Sequence, residues 1–219
     1  VMAGSAVILE AWREEVAAIL LLWYPGMEGG HALADVIFGQ VNPSGRLPFS
    51  VPKRAEDLPF FDRDALAITY DLWHGYTKLD REGIAPAYPF GFGLGYTDID
   101  FSKLEAELDE EERSIGVQVD VHNSGEREGT AVVQVYGGPE SPGGKHPTKR
   151  LCGFTRVPLA PGETRRVAFE VHLRDLAFYD VAARCWRLED DQRIFVGSSS
   201  AEVDLLVETV SLSPKTWDS

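Results

Sequence analysis

At 219 residues, 44% of them hydrophobic and 26% charged, the chain has the composition of a globular protein with room for one large or two modest cores. A formal charge of -14 argues against nucleic acid or an anionic membrane surface as partner, and no apolar run approaches the roughly 20 residues needed to cross a bilayer. Two cysteines, Cys152 and Cys185, are too few for a disulfide scaffold, and two separate thiols are favoured over one bridge.

In chain order, Val1-Met2-Ala3-Gly4 reads as the end of a buried strand. A sheet drawn from the first 50 residues alone would have about three strands with bare edges. More sheet is therefore expected before Val1, with the chain one piece of a longer polypeptide, and the compartment stays open. Trp12 to Val16 suggests a short helical turn. Ala18-Ile19-Leu20-Leu21-Leu22-Trp23 is a continuous apolar run of the kind found in a strand covered on both faces. Gly26, Gly29 and Gly30 follow at its end, and Ala32, Leu33, Val36 and Ile37 repeat at helical spacing before Gly39. Arg46–Val51 reads as a further strand. Residues 1–52 thus predict part of an α/β sandwich domain.

From 53 to 100 the sequence turns to Pro, Gly, aromatic and Asp residues without period, which predicts an ordered aromatic linker. Ile115, Val117, Val119 and Val121 then alternate with Gly116, Gln118 and Asp120, the period of a half-buried strand. Asn123-Ser124-Gly125 is turn chemistry. Strands are expected at Ala131–Tyr136, Leu151–Val157, Arg165–Val171, Cys185–Leu188, Ile194–Val196 and Val203–Val210, separated by turns such as Ala160-Pro161-Gly162-Glu163. Residues 101–212 predict an all-β sandwich of immunoglobulin or fibronectin type III kind, with Phe154, Phe169 and Phe195 in its core. Residues 213–219 predict a fraying tail.

The site chemistry is sparse. The turn from Gly26 to Gly30 lacks the Lys-Ser/Thr ending of a phosphate loop, and Gly91-x-Gly93-x-Gly95 follows no clear strand and opens no helix. Five histidines, His31, His74, His122, His146 and His172, show no ligand spacing, so neither metal nor cofactor is expected. No nucleophile elbow appears. Of the carboxylates, Glu28 lies in the strand-end loop, where it could cap the following helix, and Asp71 lies among aromatics; a structural role is preferred for each. Asp109-Glu110-Glu111-Glu112 reads as a solvated turn. Trp73 and His74 are the most site-like pair, because an aromatic face suits a sugar ring and an imidazole can bond its hydroxyls, although ordinary interdomain packing is the preferred reading.

The segment Trp23-Tyr24-Pro25-Gly26-x-Glu28-Gly29-Gly30-x-Ala32-x-Ala34-Asp35-x-x-Phe38-Gly39-x-x-Asn42-Pro43-Ser44-Gly45-Arg46-Leu47-Pro48 resembles the second domain of glycoside hydrolase family three, the β-glucosidase and β-xylosidase group. Tyr88-Pro89-Phe90-Gly91-Phe92-Gly93-Leu94-Gly95-Tyr96-Thr97 resembles that family's entry into a fibronectin-III-like domain. Leu151-x-Gly153-Phe154, Pro161-Gly162-Glu163 and Phe195-Val196-Gly197-Ser198-Ser199-Ser200 match the same final domain. The resemblance implies a retaining double displacement on a terminal β-linked sugar, with the nucleophile in a barrel and the acid/base carboxylate in the α/β sandwich, both upstream of Val1. No catalytic residue carries over, and the chain alone is expected to be inactive. Trp73, His74, Asp71 and Glu28 remain the candidate substrate contacts. Where many relatives have a Gly-Tyr-Arg-Tyr-like stretch, this chain has Trp73-His74-Gly75-Tyr76-Thr77, which leaves the aglycone preference open. The implied partners are a β-glucoside or oligosaccharide and the barrel with the rest of the sandwich, in cis or as a separate chain, with a homodimer possible. A non-catalytic carbohydrate-binding or adhesion module is the alternative.

Overall fold

The computed structural model describes residues 1–5, 7–143, 146–189 and 191–218. The chain divides into two units, Val1–Tyr96 and Thr97–Ser219, so the segment read as a linker belongs to the first unit as far as Tyr96.

In the first unit, the expected helical turn forms a 3-10 turn at Arg13–Glu15, and the helical periodicity becomes α1, Gly29–Ile37. Gly39 ends α1 with a left-handed φ of 71°, its N–H bonding Val36 O at 3.0 Å. The Ala18–Trp23 run is not a ladder strand. A strand exists through its neighbours' N–H and C=O groups, and here the Val1 amino group donates to Leu20 O (2.8 Å) and Leu22 N to Val1 O (2.9 Å). From Ile19 to Trp23 its apolar side chains stay half-buried, and Ala18 is exposed. Nor does Arg46–Val51 form a regular strand. It exchanges bonds with the 87–92 stretch, including Leu47 N to Phe92 O (2.9 Å) and Gly91 N to Leu47 O (2.8 Å), and closes a single bridge between Val51 and Tyr88. Pro48, Pro52 and Pro89 supply no N–H, which breaks any continuous ladder.

The stretch read as aperiodic holds a 3-10 turn at Ala55–Asp57 and a helix, α2, at Tyr76–Glu82. Leu79 is the buried residue of α2, Lys78 pairs with Glu82 at 2.6 Å, and Gly83 caps the end with φ 66°. At seven residues α2 is too short to show a period.

The second unit is built from antiparallel strands. One sheet orders β1 (Ile99–Asp109), β2 (Ser114–Asn123) and β5 (Thr164–His172) as β1-β2-β5. Another orders β3 (Gly129–Pro139), β4 (Arg150–Leu159), β8 (Gln192–Gly197) and β9 (Leu205–Val210) as β4-β3-β8-β9. A short helix, α3 (Leu173–Leu176), leads to a small third sheet, β10-β7-β6, from β6 (Phe178–Asp180), β7 (Cys185–Leu188) and β10 (Lys215–Asp218). The alternating valines of β2 are fully buried, in one core with Val133, Val135, Ile194 and Val196. The turn at Asp109–Glu112 is held by Asp109, whose Oδ1 accepts from the N–H groups of Glu111 and Glu112 at 3.0 Å each.

Three expectations are corrected. The tail does not fray: 215–218 pair with β7, Trp217 opposite Trp186, because Trp217 packs against the core. Val203 lies in a 3-10 turn, Glu202–Asp204, and is 93% exposed, so β9 begins only at Leu205. Phe154 is 66% exposed, while Phe195 is buried and Phe169 packs against the core. Pairing with β3 is regular from Gly153 to Leu159, and Phe154 falls on the outward face with Arg156 and Pro158 while Val157 and Leu159 face the core.

Cys152 and Cys185 are both free thiols. Burial pushes the Cys152 thiol up to about 11, which leaves almost none of it as the reactive thiolate near neutrality. Cys152 in the native protein should react with iodoacetamide at pH 7.5 on the order of a hundredfold more slowly than in urea. Mass spectrometry of labelled peptides checks this; equal rates would show that Cys152 is not shielded.

Candidate functional site

The glycine-rich loop ahead of α1 turns through Gly26 (φ 71°), and Gly29 lies so close to Pro25 that a Cβ would come within 2.6 Å of the ring. Glu28 precedes the first residue of α1 but does not cap it: its φ of -87° and ψ of 4° are not those of an N-cap, and its side chain makes no bond to the helix amides. It instead meets Nδ1 of His31, one turn along, at 2.8 Å, and both side chains are exposed.

Asp71, Trp73 and His74 are brought together by one turn. The Asp71 carboxylate accepts from Trp73 N at 2.8 Å, and His74 Nδ1 lies 2.7 Å from Asp71 O, so that nitrogen carries a proton. Thr77 Oγ1 donates to Leu72 O (2.7 Å) and His74 O (2.8 Å), locking the turn onto α2. From α2, Arg81 lays its guanidinium over the Trp73 ring, 4.1 Å from the centroid. One face of Trp73 is therefore taken, and a sugar could stack only on the other. No hydrogen bond among the described residues joins Glu28 to this cluster.

Four carboxyl groups among the described residues, Asp57, Asp120, Glu163 and Asp180, titrate below the usual range. Asp57, with its carboxylate buried, is held below the usual range by Arg54, whose Nη2 lies 2.9 Å from Oδ1. Asp120 is lowered by Lys103 and Arg166, Glu163 by the Ala160 N–H and Arg165, and Asp180 by the Ala183 N–H and Arg187. Each is a stabilised anion. A glycosidase acid requires the opposite shift, since it must hold its proton near neutrality.

Sequence reasoning overlooked a second assembly in this unit. The glycines of the 91–95 stretch are spacers against the Asn42–Arg46 turn. A Cβ on Gly93 would fall on Gly45 O and lie 2.9 Å from Arg46 Nη1; one on Gly95 would lie 2.9 Å from Asn42 Oδ1. Asn42 Oδ1 accepts from Tyr96 N at 2.7 Å, and Tyr96 OH donates to Val36 O at 2.8 Å, tying the end of α1 to the same clasp. The signal was in the sequence as two separate motifs whose mutual contact no spacing reveals.

Residues 1–96 match the model of the glycosyl hydrolase family 3 C-terminal domain, and residues 131–200 match the fibronectin type III-like domain. Beta-glucosidase BoGH3A of Bacteroides ovatus is 36% identical over 215 residues, covering 93% of this chain and 29% of that protein. Beta-glucosidase B of Emericella nidulans is 36% identical over 223 residues, covering 94% of this chain and 26% of that protein. Among solved structures, beta-glucosidase 3B from Thermotoga neapolitana in complex with alpha-D-glucose superposes with a TM-score of 0.90 at 33% identity, over 99% of this chain and 31% of that one. The chain thus spans less than a third of the length of these relatives. With its α/β unit followed by a fibronectin III-like sandwich in that order, the chain belongs to glycoside hydrolase family 3, as the C-terminal portion of such a protein.

Proposed function

We propose that this chain is the C-terminal portion of a retaining β-glucosidase that removes terminal β-linked glucose from glycosides or oligosaccharides, and that its own role is structural. The observation that carries this reading is the likeness to beta-glucosidases over nearly the whole chain, both units included. The reacting carboxylates belong to polypeptide outside these residues, in cis or on a separate barrel chain. Trp73, His74, Asp71 and Glu28 are proposed as contacts of the sugar or its leaving group, not as reacting groups: Asp71 and Glu28 are already engaged in local bonds, and Trp73 has one free ring face.

The test is the stereochemistry of hydrolysis by the intact polypeptide. Two displacements at the anomeric carbon, through a glycosyl ester, restore its configuration, so the first glucose seen by proton NMR should be the β-anomer, with the α-anomer growing in only by mutarotation. First appearance of the α-anomer would overturn the retaining mechanism. No release of glucose from any aryl β-glucoside would overturn the glucosidase assignment.

A further inference from the structure

The Arg46 side chain lies across Gly93, the residue whose missing Cβ leaves room for its Cδ and Nη1. Backbone bonds from Leu47 to Phe92 and from Gly91 to Leu47 fix the two segments of the clasp, so the backbone that carries the guanidinium is set before anything binds it. Its bonding is incomplete. Nη1 donates to the carbonyl of the neighbouring Gly45 at 3.1 Å, whereas Nε is buried with no acceptor among the described residues. Burial alone lowers its pKa, with no acidic side chain acting in the opposite sense. The other arginines in strong pairs show the contrast: Arg54 has Asp57, Arg165 has Glu163, Arg187 has Asp180. A partly desolvated guanidinium in a rigid backbone setting, with Nε covered and the Nη1 bond to Gly45 O exposed, is suited to a carboxylate that approaches its terminal nitrogens.

We propose that Arg46 is a docking point for one aspartate or glutamate side chain carried by the polypeptide that precedes these residues in the intact protein. This rests on the reading of the chain as a C-terminal portion. The clasp of Asn42–Arg46 with 91–96 then has a task beyond closing a turn: it holds a cation ready for an ion pair that joins this unit to the rest of the enzyme. Leaving either charge without the other is the costly state, so the effect of removing Arg46 depends on whether the carboxylate is present.

The test compares Arg46→Met and Arg46→Lys in the 219-residue chain and in the intact polypeptide, by thermal unfolding. In the chain alone Arg46→Met should melt at or above the wild-type temperature, because an unpaired cation has been removed. In the intact protein the same change should lower the melting temperature by several degrees, with Arg46→Lys between. Replacing upstream Asp and Glu residues singly by Asn or Gln should then find one whose effect disappears in the Arg46→Met background. Equal losses in both proteins, or no upstream carboxylate that couples, would overturn the proposal. Aryl β-glucoside hydrolysis by the intact wild type is scored separately, so coupling without hydrolysis would keep the ion pair and remove the glucosidase reading.

Discussion

Purified on its own, the 219-residue chain should release no p-nitrophenol from p-nitrophenyl β-glucoside above the buffer rate, at any pH from 4 to 8. Glycoside hydrolysis by double displacement needs two carboxyl groups about 5 Å apart on either side of one bond, one ionised and one still protonated. Six of the 35 acidic residues bear on this, in two sets. Asp57, Asp120, Glu163 and Asp180 are pinned as anions by arginine, lysine or backbone N–H groups. Glu28 and Asp71, the two in loops that look like site loops, spend their oxygens on His31 and on the Trp73 N–H. The four stabilised anions cannot serve as the acid, which must hold its proton near neutrality. In the intact polypeptide the corresponding changes Glu28→Gln and Asp71→Asn should lower kcat by less than about tenfold, where loss of a reacting carboxylate costs on the order of 10,000-fold or more. Turnover by the chain that survives a second purification step and scales with its concentration would sink this assignment.

Replacing Asn123 by Leu should destabilise the second unit by about 3 kcal/mol or more, a fall of roughly 10 °C in melting temperature. Asn123 has no exposed surface, and its amide is used at both ends. Nδ2 donates to Arg127 O at 2.7 Å and Leu159 O at 3.1 Å, while Oδ1 accepts from Thr97 Oγ1 at 2.5 Å and Gly125 N at 3.1 Å. Its backbone bonds Glu163 O and receives Gly162 N, at 3.0 and 2.9 Å. One side chain therefore joins the end of β2, the entry to β1 and the end of β4. Leucine fills a similar volume but leaves two carbonyls, a hydroxyl and an N–H without their partner, each costing about 1–3 kcal/mol if water cannot reach it. Ser124→Ala next door, on an exposed residue, should change stability by less than about 0.5 kcal/mol. Urea denaturation of the three proteins decides it; Asn123→Leu within error of wild type would mean that the amide bonds add nothing net.

Much of the second unit was legible because its physics is local. A strand with one buried face advertises itself by alternation, as Ile115 to Val121 do, and turns advertise themselves by Asn, Gly and Pro. What failed there depended on neighbours. Trp217 pairs only because β7 lies beside it, Phe154 is exposed because the register that buries Val157 and Leu159 turns it outward, and Val203 turns aside into a 3-10 turn. In the first unit, α1 was legible from a 3.6-residue period, but Ala18–Trp23 and Arg46–Val51 were not strands. Apolar composition names what could be buried; a ladder requires a partner with free N–H and C=O groups in register.

By itself, then, the sequence determined the order of the two units, seven of the ten strands of the second unit, the stop of α1 at Gly39 and the family, all of which are written in residue type and short spacing, while β1, β6, β10 and the start of α1 at Gly29 went unread. Only the tertiary structure decided that Glu28 pairs with His31 instead of capping α1, that Arg81 covers one face of Trp73, and that Gly93 makes way for Arg46. Those outcomes hinge on which distant side chain arrives within about 3–4 Å of a given atom, and polar and cation–π contacts fall off so steeply beyond that range that no one-dimensional pattern encodes them.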